Sequence, residues 1–241
     1  GRFNTVPWLS WSPTGDRLAF IARFGKSKGV VIQEVVTKKV VQRIDLPTVD
    51  EPESPCWSPD GKSIVFSALQ NAKSDIFTVT LATGQVTNLT QDQFYNYGPV
   101  FSPDGQSVVY LARISGNEKL FRLDLSSKKR TQITFGTHDD SAARFLDANT
   151  IVFSSTAVDP AQAIDPEVAR NANIYNIWTL DLKTGELKQY TDSLGGNLAP
   201  VILRDSKNVR VAFVTYYKGD YGLHAIELTK PLKAVATADF G

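Results

Sequence analysis

Short apolar runs recur along the chain, and polar turn residues separate them. The five runs are Leu18–Ile21, Ile64–Phe66, Val108–Leu111, Ile151–Phe153 and Val211–Val214. The later runs are followed by segments in which apolar and polar residues alternate, which is the period of a half-buried β-strand. Because no segment sustains a period of 3.6 residues, the pattern predicts strands throughout and no long helix.

A turn signature precedes each apolar run. The clearest copy is Trp-Ser-Pro-Asp-Gly at residues 57–61, with close counterparts at 11–15 and 101–105 and degenerate ones from 145 and 202. Proline presets φ at the second turn position and glycine accepts positive φ, so the signature predicts a tight turn between two strands. We therefore assign its serine and aspartate a structural role rather than a catalytic one.

The turns return at a nearly constant interval. The anchor residues Trp11, Trp57, Phe101, Phe145 and Ile202 are 46, 44, 44 and 57 positions apart. A unit of four antiparallel strands repeated about every 40–45 residues is the signature of a propeller blade. The sequence therefore predicts an all-β fold, a β-propeller of four-stranded antiparallel blades with five blades visible. The predicted blades of this single domain span residues 6–45, 53–90, 97–134, 141–191 and 198–237.

Two segments carry a family resemblance. The residues WSPDGKSIVF at 57–66 and FSPDGQSVVY at 101–110, with DIFTV at 75–79 and TNLT at 87–90, resemble the WD40-like (PD40) repeats of TolB-type propellers. TolB-type rings are similar to six-bladed ones. The resemblance therefore implies that this chain is part of a larger ring of six or more blades, and the alternative is a closed ring of five blades. An incomplete ring would self-associate through its open blade edges.

The resemblance also implies a function. TolB-type propellers suggest a non-catalytic protein-binding or scaffold protein of the bacterial cell envelope, in the periplasm or otherwise outside the cytoplasm, with no cofactor. Two alternatives remain at this point. One is an accessory propeller that gates substrate in a larger peptidase or multidomain surface protein, and the other is a lyase or hydrolase with its site in the channel.

Charge and hydropathy exclude several classes of partner. The chain has 26 basic and 25 acidic residues, without the basic excess that a nucleic-acid surface needs. No apolar stretch approaches the roughly 18 residues that would cross a bilayer, so we expect no membrane insertion. The single cysteine, Cys56, excludes an internal disulfide.

Catalytic and metal-binding motifs are absent from the sequence. It contains no Gly-x-Ser-x-Gly elbow, no His-Glu-x-x-His and no glycine-rich phosphate loop, so we expect no enzyme activity. His138, Asp139 and Asp140 are adjacent in a strand-like segment, where neighbouring side chains point to opposite faces, so we expect no metal site. His224 aligns with Phe77 and Trp178 and is interpreted as a packing residue between blades.

The connections between blades are longer and chemically richer than the turns, so we expect a protein or peptide partner to bind there. Apart from His138, the predicted binding residues are acidic or aromatic: Asp50, Glu51, Glu53, Tyr95, Tyr97, Asp139 and Asp140. Acidic charge steers the encounter and aromatic rings supply contact area. An insertion at 157–173, which reads as a short helical turn, adds Asp165, Glu167 and Arg170 to the same surface. The alternatives are a solvated loop rim and, for the insertion, a brace on a neighbouring domain.

Overall fold

The computed structural model describes residues 8–25, 27–157, 174–193, 195–205 and 208–236. These residues form twenty β-strands in five sheets, which confirms the predicted all-β, five-bladed propeller class. No helix in the described ranges is long and apolar enough to cross a membrane.

Sheets 1 to 3 contain four strands each, in chain order from the inner to the outer edge. Sheet 1 contains β1 (Leu9–Trp11), β2 (Arg17–Phe24), β3 (Ser27–Glu34) and β4 (Val40–Asp45). Sheet 2 contains β5 (Asp50–Trp57), β6 (Ser63–Gln70), β7 (Lys73–Thr80) and β8 (Val86–Asn88). Sheet 3 contains β9 (Tyr95–Phe101), β10 (Ser107–Ile114), β11 (Asn117–Asp124) and β12 (Arg130–Gln132).

Sheets 4 and 5 depart from four strands. Sheet 4 contains β13 (Asp140–Phe145), β14 (Thr150–Ser155), β15 (Asn176–Asp181), β16 (Glu186–Gln189) and β20 (Lys233–Ala236). Sheet 5 contains β17 (Gly196–Arg204), β18 (Val209–Tyr217) and β19 (Asp220–Glu227). Residues 198–237, predicted as the fifth blade, therefore contribute their last strand to sheet 4 instead of sheet 5.

The pairing of β20 with sheet 4 instead of sheet 5 has a local cause in the residues that precede β20. In sheets 1 to 4, the turn from the third to the fourth strand contains a residue with positive φ: Lys38, Gly84, Lys128 or Gly185. Residues 228–231 contain no such residue and include a proline, so the chain does not reverse tightly there. It continues to sheet 4, where β20 pairs antiparallel with β16.

The chain divides into two compact units. Unit 1 comprises Gly1–Ala112 with Leu123–Arg130, and unit 2 comprises Arg113–Arg122 with Thr131–Gly241. The core of unit 1 packs Val30 and Ile32 of sheet 1 against Trp57, Ile64 and Phe66 of sheet 2. The smaller cluster in unit 2 packs sheets 4 and 5 together, and its buried members are Val152, Ile177, Val211 and Phe213. Removal of this apolar surface from water is the main stabilising contribution in each unit.

The repeated turn has the structural role predicted for it. Ser58 Oγ donates to Asp60 Oδ1 over 2.6 Å, and the backbone N–H of Ser63 donates to Ser58 Oγ over 2.9 Å. Gly61 closes the turn with φ of 71°. Ser102 and Asp104 repeat the serine–aspartate bond in sheet 3 at 2.5 Å. The serine and aspartate side chains thus brace the turn from within.

The inner strands bend at one repeated position that sequence reasoning did not identify. Ser54, Gly98, Ala142 and Ala199 each lie three residues before the anchor residue and have φ between 51° and 61°. In sheets 2, 4 and 5 the pairing register shifts at this point, which is the mark of a β-bulge. Because only one of the four residues is glycine, the sequence does not indicate positive φ at the other three positions.

His224 occupies the predicted register but not the predicted environment. It pairs with Phe213, as Phe77 pairs with Phe66, and its ring stacks on Phe213 with centroids 6.0 Å apart. The residue is exposed, because β19 presents most of its side chains to solvent. His224 is exposed and its ring packs on a residue of its own sheet, so its interpretation as a packing residue between blades is wrong.

Candidate partner-binding surface

The connection between sheets 2 and 3 is fixed by Asp92. Its Oδ1 accepts hydrogen bonds from the backbone N–H of Phe94 (2.8 Å) and from Nδ2 of Asn96 (2.9 Å). This is the geometry by which an aspartate closes a turn on its own backbone. The other oxygen, Oδ2, forms an ion pair with Arg130 of β12. One carboxylate therefore ties the loop to itself and to the outer strand of sheet 3.

Arg130 is in turn held by aromatic rings. Its guanidinium carbon lies 4.7 Å from the centroid of the Phe94 ring and 5.9 Å from that of Tyr110, within the range of a cation–π contact. Tyr110 is fully buried, and that burial raises the pKa of its phenol above the ordinary value. Arg130 thus contacts the connection through Asp92 and Phe94 and the buried core through Tyr110.

Two tyrosines, Tyr95 and Tyr97, follow this connection at the start of β9. The rings of Tyr95 and Tyr97 lie 5.8 Å apart between centroids, and Tyr95 is 47% exposed. Asn96 between them is fully buried, as expected where successive strand residues alternate in direction. Large aromatic side chains on a pre-ordered loop contribute contact area at a small cost in conformational entropy.

The predicted acidic residues of unit 1 lie at the start of β5, which contacts β9. Asp50 and Glu51 are exposed and Glu53 is half-buried. A hydrogen bond from Lys28 lowers the pKa of Glu51, whereas burial raises the pKa of Glu53. The predicted acidic and aromatic residues of unit 1 therefore begin two neighbouring inner strands.

The predicted residues of unit 2 are arranged differently. Asp140 is fully buried, so the expectation that it stands on an exposed acidic surface is wrong. Ser155 Oγ donates to its Oδ1 over 2.7 Å, His138 Nε2 lies 3.4 Å from the same oxygen, and Lys119 Nζ lies 3.5 Å from Oδ2. Asp140 is the first residue of β13, and its carboxylate contacts these three internal partners.

Lys119 is buried with Asp140, and its side chain is only 2% exposed. Its ammonium also donates to the backbone oxygen of Phe135 at 3.4 Å. Burial lowers the pKa of Lys119, and the negative charge of Asp140 offsets part of that effect. Sequence reasoning missed this residue, because a lysine at the start of an alternating strand looks like a solvent-facing one.

His138 and Asp139 are also engaged internally. Asp139 Oδ1 accepts from the backbone N–H of Glu118 at 2.9 Å and from Asn117 Nδ2 at 3.3 Å. The His138 side chain is 12% exposed and, with Ser155 and Trp178, lines a cavity of about 10 Å³. No cluster of three metal-ligating side chains occurs among the residues described.

The insertion gives no further geometry. Asp165, Glu167 and Arg170, together with the rest of 158–173, lie outside the described residues. Their assignment to the binding surface therefore stays a prediction. Ala157, at the edge of this segment, is buried.

Comparison with known proteins decides the family. The family model described as the TolB beta propeller domain (PD40) matches residues 6–173. The chain belongs to this family. The Tol-Pal system protein TolB of Ruthia magnifica subsp. Calyptogena magnifica is 30% identical over 83 residues. That match covers 34% of this chain and only 19% of the relative's length.

Solved structures extend the likeness in fold. A putative TolB from Agrobacterium tumefaciens has a TM-score of 0.71 at 19% identity, covering 95% of this chain and 81% of that one. A prolyl endopeptidase has a TM-score of 0.62 at 14% identity, covering 94% of this chain and 34% of that one. At these identities the likeness is one of fold alone.

One feature of this TolB-family propeller explains a motif noted in its sequence. Thr90, Thr134 and Thr191 each follow the fourth strand, and each Oγ1 accepts a backbone N–H from the third strand. The donor–acceptor distances are 3.1, 2.8 and 2.8 Å. The recurrent threonine thus holds the point at which the chain leaves one sheet for the next, so its role is structural.

Proposed function

We propose that this chain is a non-catalytic protein-binding propeller of the bacterial cell envelope, which captures a protein or peptide on the surface formed by the connections between blades. The observation that carries the proposal is the pair of exposed Tyr95 and half-buried Tyr97 at the start of β9, directly after the connection that Asp92 and Arg130 brace. Membership of the TolB propeller family supports it, since curated relatives are named as Tol-Pal system proteins.

The surrounding charge supports a basic or amphipathic partner. Asp50 and Glu51 are exposed beside the tyrosine-bearing strand, with Glu51 in an ion pair with Lys28, and Glu53 is half-buried next to them. Negative potential around an aromatic centre accelerates association and disfavours acidic competitors. We extend the surface to the insertion residues Asp165, Glu167 and Arg170 as a further part of the proposal.

The same proposal places the protein outside the cytoplasm, in the periplasm. The names of the curated relatives are its basis. The alternative of an accessory propeller in a larger peptidase has weaker support, because the likeness to a prolyl endopeptidase is one of fold alone.

Substitution of Tyr95 tests the surface. The full 241-residue chain is immobilised and exposed to a periplasmic extract, and captured Tol-Pal proteins are quantified by mass spectrometry. We expect Tyr95→Ala to lower capture about tenfold or more, as truncation of a central aromatic contact does. Tyr221→Ala is the matched control, because Tyr221 is 75% exposed and lies on β19 of sheet 5.

Two outcomes would contradict the proposed surface. Equal capture by wild type and Tyr95→Ala would remove Tyr95 from the interface. Equal losses in Tyr95→Ala and Tyr221→Ala would show that exposed tyrosines contribute without regard to position. Unchanged thermal stability of both variants ensures that a loss of capture is not a loss of folded protein.

A further inference from the structure

Sheet 5 has an outer edge with no pairing strand among the residues that the structure describes. It ends at β19, because β20 pairs with β16 in sheet 4. The turn before β19, at Lys218 and Gly219, has φ of 50° and 96°, as in a two-residue type I′ hairpin. Such a hairpin closes with a hydrogen-bonded pair, here Tyr217 and Asp220. From that pair onward, alternate residues of β19 direct their N–H and C=O groups away from β18, namely Tyr221, Leu223, Ala225 and Glu227.

The groups equivalent to those of Leu223 are paired in other sheets. Its counterpart in sheet 2 is Ile76, since each lies one residue before the residue that opposes a second-strand phenylalanine. The N–H of Ile76 donates to Thr90 Oγ1 over 3.1 Å, and its carbonyl accepts from the N–H of Leu89 over 2.7 Å. Sheets 3 and 4 repeat both bonds at the equivalent residues. The edge of β19 therefore offers backbone positions that are occupied in sheets 2 to 4.

β19 also lacks the features that usually protect a strand edge from pairing. All eight of its residues pair with β18 in one register, without a bulge. No lysine, arginine, acidic residue or proline lies between Asp220 and Glu227. By contrast, the outer strands β8 and β12 have only three residues each, and β4 carries Arg43. A long, regular edge without charges pairs readily with another strand.

Exposed apolar side chains lie along the same edge. Tyr221 and Leu223 project to one face of sheet 5 and are 75% and 79% exposed. The ring of Tyr221 lies 4.9 Å from that of Tyr216 on β18, measured between centroids. A strand that covers these side chains gains apolar burial in addition to backbone hydrogen bonds.

We propose that β19 pairs antiparallel with β19 of a second copy of this chain. Leu223 of one copy opposes Ala225 of the other, and Tyr221 opposes Glu227, so the twofold axis passes through His224. Each of these pairs exchanges two backbone hydrogen bonds, and every outward group of both strands is then paired. A second copy fits the edge because the same residues supply donors and acceptors on both sides of a symmetric contact.

The side chains are compatible with this register. Asp220 opposes Leu228 and Glu227 opposes Tyr221, so no two acidic residues, which would repel, face each other across the contact. Leu223 of each copy lies diagonally across from that of the other, which buries apolar surface near the axis. The contact does not use Tyr95, so this assignment and the proposed function can fail independently.

Sedimentation velocity of the full chain measures the association. The concentration runs from about 1 to 100 μM, the range in which so small a contact dissociates, and we expect a reversible dimer. Leu223→Lys places a charge on the edge in both copies and should weaken dimerisation about tenfold or more. Val41→Lys is the matched control, because Val41 is 44% exposed and lies on β4, the outer strand of sheet 1.

A proline at Ala225 tests the backbone contribution. The N–H of Ala225 points away from β18, so Ala225→Pro removes a donor to the second copy and leaves the pairing within sheet 5. Because the symmetric contact loses this hydrogen bond twice, we expect dimerisation to weaken about tenfold.

Disulfide cross-linking tests the register. Residues that meet at the axis have Cα atoms about 4.5 Å apart, which a disulfide can bridge, so His224→Cys should form a covalent dimer under mild oxidation. Tyr221→Cys is the matched control on the same strand, since its two copies would lie about 20 Å apart. Wild type, which retains Cys56, gives the background level of cross-linking.

Several results would overturn the proposal. One is a chain that stays monomeric up to about 100 μM. Another is an equal loss in Leu223→Lys and Val41→Lys, which would show a response to added charge without regard to position. Cross-linking of Tyr221→Cys as strong as that of His224→Cys would exclude the register. Protection of the Leu223 amide from hydrogen exchange in dilute monomer would assign the edge to a segment of the same chain. If Ala225→Pro fails to fold, Leu223→Lys still decides, because it changes an exposed side chain.

Discussion

Unit 2 contains two buried polar pairs at equivalent positions, each of which we call a joint, and their residues differ in charge. Lys119 and Asn176 each lie two residues before the third-strand aromatic, and Asp140 and Asn197 each lie five residues before an anchor residue. In one joint, Lys119 Nζ lies 3.5 Å from Asp140 Oδ2. In the other, Asn197 Nδ2 donates to Asn176 Oδ1 over 3.1 Å. A buried ion pair thus occupies the place of a buried amide pair.

The amide joint has more hydrogen bonds than the charged one. Asn197 Nδ2 also contacts the hydroxyls of Thr191 and Ser193, and its Oδ1 accepts from Thr215 over 2.8 Å. Asp140 Oδ2 has the ammonium of Lys119 as an ion-pair partner but accepts no hydrogen bond within the described part of the chain. Removing charges from water is costly, so we infer that the blade architecture does not need the charge at this position.

The largest expected effect comes from breaking the ion pair. Asp140→Asn leaves the ammonium of Lys119 buried without its counter-charge and should lower the free energy of unfolding by about 3–5 kcal/mol. Urea denaturation followed by tryptophan fluorescence measures it. A loss below about 1 kcal/mol would show that the pair is not coupled as the distance implies.

A smaller loss is expected in the amide joint. Asn197→Ala removes the hydrogen bonds to Asn176 and Thr215 without leaving a charge behind, so we expect a loss of about 1–3 kcal/mol. The same denaturation experiment compares it with Asp140→Asn. The comparison between the joints fails if Asn197→Ala is the more destabilising of the two.

The fold was predictable from the repeat, and the joints were not. Spacing of the turn at residues 57–61 and its copies indicates the blades without any three-dimensional information, because turn chemistry is local. Asp140 looked exposed because it follows His138 and Asp139 in a polar loop. A comparison of the position five residues before each anchor would have placed it with Asn96 and Asn197, which are both buried.

The route of the last strand could not be read from the sequence. The segment 233–236 is short, and its apolar and polar residues alternate only weakly, so it fits the outer edge of any sheet. Only the turn geometry of the preceding residues, 228–231, decides between sheets 4 and 5. The bulge positions were equally hidden, because Ser54, Ala142 and Ala199 take positive φ without being glycine.

Replacing the ion pair by the amide pair should restore stability. The double variant Lys119→Asn/Asp140→Asn copies the residues of the second joint, and we expect its free energy of unfolding to fall within about 1 kcal/mol of wild type. A double-mutant cycle with the two single variants gives the coupling energy. A double variant as unstable as Asp140→Asn would mean that the charged pair is needed after all.

The smallest expected change in the free energy of unfolding comes from the backbone, and it should have the same sign in both joints. Ala142 and Ala199 follow the buried polar residues and have φ of 51° and 52°. Because an L-residue in this region is strained and glycine is not, each Ala→Gly substitution should stabilise the chain by up to about 1 kcal/mol. Gly98→Ala is the reverse control and should destabilise it, since Gly98 has φ of 61°. Opposite signs for Ala142→Gly and Ala199→Gly would show that the joints differ in backbone as well as charge.

Hydrogen–deuterium exchange shows whether the tyrosines at the start of β9 and the connection before them meet a partner. The full chain is compared alone and in complex with the protein that it captures. We expect new protection from exchange at residues 91–98 and at 50–53, with exchange at 218–223 of sheet 5 unchanged. Protection at 218–223, with none at 91–98, would contradict it.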